Sequence, residues 1–509
     1  MNFKQSHIGK LLRPVRIGSA LLAALLVLAG CSVAPTYERP TVDTPPAYKE
    51  VGSALAGEQS SQWKSAQPAE DTTRGEWWKV FNDAGLNALE DRAQQANQSL
   101  KAAAARLGQA RALTKDARGG YFPQVDAGIG ATRQRTSPAS QGLPADANTQ
   151  PSTLYRAQLG ISYEVDLFGR VASTVDAATA DAQRSEALFH SVLLALQADV
   201  AQQYFQVREL DAALALYQGT VDLRRESLRL VQVRFDAGDI SEVDLARARS
   251  ELAWAQSEQL GITRQRAIAE HALAILLGST PAEFALPARP LTRISLNVPA
   301  GLPSTLLERR PDVAAAERAM AAANARIGVA RSAFFPSLNL TGGLGYESAQ
   351  LGDLSNWSSR TFLLGPLVGT ALSMSIFDGG RRQAGVDRAR ASYEQQVADY
   401  RSTVLNAFRE VEDNLANLRI LTDQSRAQDE AVNASERAAK LSHAQYREGS
   451  VSYFDVIDAD RGVLQQQRAS VQLDGEHARS TVNLIRALGG GWTPPGDASV
   501  ATANLPVVR

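Results

Sequence analysis

The sequence predicts an α+β membrane protein in which a few membrane-length strands are joined to very long helices. Three observations carry that prediction: segments of strict two-residue alternation, proline-free helical runs, and a repeat of about 211 residues. Together they describe one structural unit written twice.

The repeat is held over four landmarks. Ala117-Arg118 and Tyr121-Phe122-Pro123 match Ala330-Arg331 and Phe334-Phe335-Pro336. Asp166, Gly169 and Arg170 resemble Asp378, Gly380 and Arg381. Arg234-Phe235 and Gly238 match Gln445-Tyr446 and Gly449, and Leu276-Leu277-Gly278 matches Ala487-Leu488-Gly489. The period is too long for a solenoid and marks a duplicated, domain-sized unit. Each unit reads as a helix leading to Phe-Pro, two alternating segments around a polar loop, a long helix, a glycine turn, and a second long helix. The first repeat covers 76–290, with strands about 122–134 and 154–167 and a hairpin tip near 238. The second covers 291–492, with strands about 335–346 and 362–377 and a tip near 449. A short tail, 493–509, follows.

From Tyr155 to Leu167 every odd position is apolar and every even one polar or glycine. Val125, Ala127, Ile129 and Ala131 alternate likewise, as do Leu338, Leu340, Leu344 and Tyr346, and then Leu372, Met374 and Ile376. Segments of about 10 to 13 residues suit tilted strands that cross a bilayer. Four such strands cannot close a barrel, and an open edge in lipid leaves backbone groups unpaired. Several copies must then share one barrel; three would give about twelve strands.

The run from Arg170 to about Asp236 has no proline, and Arg381 to Arg447 behaves alike. A helix of this kind would extend about 100 Å and needs neighbours along its length. Leu188, Val192, Leu196, Val200, Leu210 and Leu214 spread over more than one face, as in a wall of packed helices.

The N-terminus reads as a lipoprotein signal over residues 1–30. Lys4, Lys10, Arg13 and Arg16 precede a short apolar run, Ile17 to Leu28, that ends in Leu28-Ala29-Gly30-Cys31. Cys31, the only cysteine, is the expected lipidation site, and Ser32 after it resembles lipoproteins sorted to the outer membrane. A single acylated residue anchors a chain without spanning the bilayer. Residues 31–75, rich in Pro, Ala, Ser and Thr, read as a lipid-anchored extended linker. The formal net charge of -1 gives no basic face for nucleic acid. Catalysis lacks an inventory: the five histidines (His7, His190, His271, His443, His477) are scattered, and the acylated Cys31 is no nucleophile. No cofactor is expected beyond the lipid. A pore-free anchored scaffold would not need four alternating strands.

Asp455, Asp458 and Asp460 cluster just past the Gly449-Ser450 break. Asp455 and Asp458 share a helix face. These pieces, in order, resemble the outer-membrane factor (TolC) family, in its OprM/NodT-type lipoprotein subgroup. The matching runs are Trp77-Trp78 with Phe81 and Asp83, Tyr163 to Arg170, Glu308-Arg309-Arg310-Pro311-Asp312, Phe334 to Ser337, Tyr446 to Gly449, and Leu488 to Trp492. The resemblance implies a homotrimer whose twelve strands form one outer-membrane barrel, continued by a periplasmic coiled-coil tunnel. It implies a gated, passive exit duct that docks on a periplasmic adaptor and, through it, an inner-membrane transporter. Gly238 and Gly449 become hairpin tips, and the second hairpin swings to open. The family's gate residues fall on Tyr446, Phe454, Asp455, Asp458 and Arg461, with Asp244 on the first hairpin as partner of the tyrosine or arginine. Under trimeric symmetry the aspartates would form rings that favour cations and can hold a blocking metal ion. Phe235, Gly238, Gly449 and Ser450 become adaptor contacts. Met320 and Met374 are the only methionines after the signal, so no methionine-rich copper or silver path is visible. That favours drugs or other small organic molecules as cargo; heavy-metal efflux and type I secretion stay open as alternatives.

Overall fold

The computed structural model describes residues 33–41, 45, 47–51, 75–294, 296, 309–364 and 372–490. The signal sequence, Cys31, most of the linker and the C-terminal tail lie outside them. Seven α-helices and five strands are described. They are α1 Ala84–Ala96, α2 Gln98–Gly119, β1 Gln124–Gln134, β2 Ser152–Val165, α3 Arg170–Asp236, α4 Glu242–Leu276, α5 Pro311–Ser332, β3 Ser337–Ser348, β4 Arg360–Leu364, β5 Leu372–Ser373, α6 Arg381–Arg447 and α7 Tyr453–Ala487. The two long pairs have equal lengths: α3 and α6 are 67 residues each, α4 and α7 are 35.

Two compact units each draw on both halves of the chain, so they cut across the repeats. Of the described residues, one unit comprises those up to Pro40, those within Gly108–Arg184 and those within Glu317–Asp399; the other comprises the remaining described residues.

The first unit holds the sheet. Its order is β1-β2-β3-β4, all antiparallel, with β5 also on β3. The register explains the alternation. Val125 faces Ile161, Ala127 faces Leu159, and Ile129 faces Ala157. Across the next ladder Leu159 faces Leu344, Tyr163 faces Leu340, and Val165 faces Leu338. One face is therefore apolar from β1 to β3, and it is uncovered: Ile129 is 83% exposed and Phe362 78%. The other face carries polar pairs, among them Arg156 and Glu347, which are register partners joined at 2.8 Å.

The fourth strand departs from the expected continuous run over 362–377. Between its pairings with Gly342 and Leu338 it advances from Leu364 to Leu372, eight residues where β3 uses four. Residues 365–371 lie outside the described set. β5 ends at Ser373, and Met374 and Ile376 are exposed beyond it. The chain must turn there, because Asp378 caps α6 by accepting the amides of Gly380 and Arg382 at 3.0 and 3.1 Å. Asp166 does the same for α3, accepting from Val171 and Ala172 at 3.0 and 2.7 Å.

Parts of the expected linker are docked. Tyr37 donates to Glu317 Oε1 at 2.6 Å, and Asn324 donates to the Pro35 carbonyl at 2.9 Å. A Cβ on Gly328 would meet Ala34 at 2.8 Å, so the glycine is what lets the segment lie against α5. In the second unit the amides of Lys49 and Glu50 both donate to Glu412, at 2.7 and 3.2 Å, and Tyr48 is buried. Composition favours an extended chain, but these specific acceptors fix it.

The second unit has an aromatic core around Trp77, Trp78 and Phe81. Trp77 packs edge-on to Trp78 at 6.0 Å, and Phe81 lies 4.9 Å from Phe205. Asp83 caps α1 through the amides of Gly85 and Leu86 and accepts the Tyr204 hydroxyl at 2.8 Å. Pro311 opens α5, where its missing N–H leaves no helical bond unmade. Beside it Arg310 binds Asp312, Glu410 and the Ala487 carbonyl.

Glu90 on α1 is fully buried with neither oxygen bonded, and burial, helped by Asp91, pushes its carboxyl up to about 9. An unfolded Glu releases its proton near pH ~4.3. The folded chain keeps the proton longer, so Glu90 erodes stability as pH rises through that window, by at most about 1.4 kcal/mol per pH unit. Glu90→Gln should match wild type near pH ~4 and exceed it increasingly toward pH ~8 in denaturant unfolding. A wild-type-to-variant difference that stays flat with pH would show that Glu90 titrates normally.

Candidate functional site

The two hairpin tips are built alike. After α3, Gly238 takes φ 82°, and after α6, Gly449 takes φ 75°. In both turns two backbone bonds close the helix end: Gly238 to Phe235 and Asp239 to Arg234, then Gly449 to Tyr446 and Ser450 to Gln445. This is the left-handed helix stop that glycine makes without strain. Gly238, Gly449 and Ser450 are exposed.

Each following helix begins with Ser-x-x-Asp. Ser452 caps α7 reciprocally with Asp455: the Asp455 carboxylate accepts the Ser452 amide at 2.8 Å and its hydroxyl at 2.6 Å. Those bonds hold the Asp455 carboxyl below the usual range. Asp244 occupies the matching place on α4, accepting from the Ser241 hydroxyl at 3.1 Å and lying 3.6 Å from Arg247. Of the two aspartates expected at the gate, Asp455 thus caps its own helix, whereas Asp244 is held by the Ser241 hydroxyl with no side-chain cap bond to the α4 backbone. Asp458 is exposed. Phe454 is 50% exposed, with the Arg247 guanidinium 5.4 Å from its ring centre.

Tyr446 and Phe235 sit beneath the turns. Val231, Leu245, Ala248, Tyr453, Val456 and Ile457 form a buried cluster, and Leu228, Phe235, Ile240 and Tyr446 pack on it. Tyr446 lies 5.6 Å from Tyr453, and burial pushes the Tyr453 hydroxyl up to about 12. The Tyr446 hydroxyl is buried without a hydrogen-bond partner. Phe235, expected as an adaptor contact, is half-buried support for the turn. The expected pairing of Asp244 with Tyr446 or Arg461 is not among the described contacts. Arg461 instead binds Glu251.

That contact opens onto a buried junction. Arg224 of α3, Glu251 of α4 and Asp460 of α7 are all buried. Arg224 donates to Asp460 at 2.9 Å and lies 3.9 Å from Glu251, and His443 of α6 meets the other Asp460 oxygen at 2.8 Å. Four helices therefore converge on interlocked charges just behind the tips. A cavity of about 220 Å³ adjoins them, lined by Arg224, Glu436, His443, Asp460 and Gln467 among others. Among the described residues no His, Cys, Asp and Glu group has a metal-site arrangement. The sequence groups Asp460 with its acidic neighbours and gives Arg224, Glu251 and His443 no evident role. A signal exists all the same: Arg224 falls on the stripe Tyr217, Val221, Leu228, Val231, and Asp460 falls between Ile457 and Leu464.

A one-sided apolar sheet joined to helices of this length defines a membrane-channel type of outer-membrane protein, and comparison with known proteins agrees. The sequence pattern of the outer membrane efflux protein family matches residues 89–279 and 302–490. The chain is 37% identical to the outer membrane protein OprJ of Pseudomonas aeruginosa over 477 residues, covering 93% of this chain and 95% of OprJ. It is 35% identical to the solvent efflux pump outer membrane protein SrpC of Pseudomonas putida over 480 residues, covering 94% and 99%. The solved structure of the outer-membrane channel OprN superposes with a TM-score of 0.79 at 30% identity, covering 91% of this chain and 100% of that one. The chain belongs to the outer membrane efflux protein family.

Removing one member of the buried junction should be far costlier than removing an exposed tip charge. Arg224→Ala is expected to lose about 3–5 kcal/mol of stability, against about 0.5 kcal/mol or less for Asp458→Ala, in denaturant unfolding followed by circular dichroism. Equal losses would mean that the junction is solvated.

Proposed function

We propose that the chain is the outer-membrane exit duct of a tripartite efflux pump and works as a homotrimer. The observation that carries this reading is the sheet. Its apolar face is exposed, and among the described residues of a single chain the outer edges of β1 and of the fourth strand have no partner. Lipid accepts an apolar face but not unpaired backbone. Three copies pairing edge to edge would give a closed barrel of about twelve strands, within the range of outer-membrane barrels. The matched lengths of the two hairpins, and the two stretches that match the family pattern, support a duplicated unit. Such a duct needs a periplasmic adaptor and an inner-membrane transporter to feed it, and a lipid on Cys31 would anchor it to the outer membrane.

Cargo would be small organic molecules, a class consistent with the solvent efflux pump for which SrpC is named. The gate would use the exposed groups at the second tip: Asp458, the free oxygen of Asp455, and Phe454. Around a three-fold axis these give an acidic ring beside an apolar constriction, which favours cations and binds blocking ions. Tyr446 from beneath the turn and Arg461 from the surface, through Glu251, would hold the tip to its neighbours. Gly238, Gly449 and Ser450 would offer the adaptor its contacts, with Phe235 supporting the first turn from beneath.

Single-channel recording in planar bilayers tests the reading. Wild type should be mostly closed and cation-selective. Asp455→Asn/Asp458→Asn removes both charges while leaving an amide to cap α7. It should lose selectivity and be blocked at least about tenfold less well by divalent cations. A channel-forming variant indistinguishable from wild type would sink the gate and leave the duct. No channel from either protein, with a monomer in detergent, would sink the trimeric duct.

A further inference from the structure

The apolar face of the sheet ends in two arginines at the side joined by loops, away from the helices. On β1 the apolar positions Val125, Ala127, Ile129 and Ala131 are followed on the same face by Arg133, opposite Thr153. On β4 that face carries Phe362 opposite Leu344, then Arg360 opposite Tyr346. One row across the ladder runs Ile129, Ala157, Tyr346, Arg360. β1 continues past this row to Gln134, whereas β4 begins at it. Strands that tilt in a barrel end in steps of this kind. Each arginine therefore stands at the loop end of its own strand, and both are exposed. Arg156, on the opposite face, is paired with Glu347 at 2.8 Å. Arg133 and Arg360 have no carboxylate partner among the described residues. The Arg360 guanidinium lies over the ring of Trp357, itself 76% exposed. Stacking uses the face of a guanidinium and leaves the N–H groups in its plane for an acceptor.

Below Arg360 the same face is hollow. Gly342, opposite Ile161, puts no side chain on it. A groove of about 240 Å³ results, lined by Leu159, Ile161, Gly342, Gly343, Leu344 and Phe362. Phe362 is the next residue of that face below Arg360, so a cation stands at the upper end of an apolar groove.

We propose that this rim binds a phosphorylated lipid of the outer leaflet, its phosphate on the arginines and an acyl chain in the groove. The depth fits. From Val165 to Tyr155, β2 climbs about 25 Å at the usual strand tilt, the height of the apolar band of an outer-membrane barrel. Tyr155, Tyr346 and Trp357 then fall where aromatic side chains belt the membrane surface. An arginine on the lipid face is costly at the midplane and nearly free at this level. The charge fits as well. Glu347 is spent on Arg156, Asp353 accepts from Asn356 at 2.9 Å, and Asp146 lies in the first loop, so no acid stands on this face beside the arginines. A guanidinium grips a phosphate through two parallel bonds. The inference rests on the outer-membrane duct reading for its orientation, loops outward. β1 and β4 lie at the two ends of the strand order. Edge-to-edge closure would set Arg360 of one copy beside Arg133 of the next, two cations on adjacent strands that suit a lipid with two phosphates.

Titrating lipid A into the full-length protein in neutral detergent, with bound lipid counted by native mass spectrometry, tests the site. Wild type should prefer bis-phosphorylated lipid A over its dephosphorylated form by about tenfold or more. Arg133→Gln/Arg360→Gln should erase that preference, binding both forms as wild type binds the dephosphorylated one, with unchanged circular dichroism. Arg133→Lys/Arg360→Lys, which keeps the charge without the fork, should retain part of it. Gly342→Leu, which fills the groove, should weaken both lipids and leave the preference in place. Equal preference in wild type and the glutamine variant overturns the site. So does displacement of the lipid by inorganic phosphate at equal concentration, which would mark a simple anion site. Planar bilayers separate this from the duct. A channel-forming wild type without the preference loses the lipid site and keeps the duct. An arginine-dependent preference without any channel keeps the lipid site and removes the duct.

Discussion

Every long helix in this protein depends on the stripe of side chains it turns toward its neighbours. A helix of 67 residues has no tertiary support except along that line. Near the tips the stripe is apolar until Arg224, Glu251 and Asp460 interrupt it on three different helices. The interruption is reciprocal: α3 gives an arginine to α7, and α7 gives Arg461 to α4. A pair of this kind gains little over a well-packed apolar contact, yet it allows few alternatives. An apolar stripe can slide by a turn and still bury its surface. An arginine that must reach one carboxylate cannot, so the charges fix the axial register of the two hairpins against each other.

The tips solve a second problem, that of reversing the chain. Gly238 and Gly449 end their helices in the same left-handed turn, and Ser452 with Asp455 starts the next helix only a few residues on. The backbone groups freed at each helix end find partners within the turn itself. What remains at the surface is largely polar, with Val243 at 56% and Phe454 at 50% exposure as apolar exceptions at the starts of the two following helices. The backbone of each turn is thus closed by its own bonds, while the cluster shared by the two hairpins packs beneath it.

The long helices were legible because nothing in 170–236 or 381–447 breaks them, and the strands because odd and even positions differ so cleanly between Tyr155 and Val165. The end of the fourth strand was not, because alternation persists through Ile376 while Asp378 claims the following backbone for the α6 cap. Docking of Tyr37 and Glu50 was hidden for another reason: composition reports what a segment does alone, and these contacts belong to Glu317 and Glu412, hundreds of residues away. At the tip, Asp455 was visible as an acid but not as a cap, although Ser-x-x-Asp spells one. Charged residues read as solvated by default, so the junction is not evident from sequence despite its place on an apolar stripe.

The contact between Ala34 and Gly328 has a mechanical meaning. With Tyr37 on Glu317 and Pro35 on Asn324, the N-terminal segment runs along α5 in the opposite sense to it. Tension applied at the start of the chain is therefore carried sideways by several contacts loaded together. Bonds loaded in shear share the force, whereas a strand peeled from a sheet edge loses its bonds one at a time. A tug on the N-terminus is met first by contacts to a helix and not by the strand ladder.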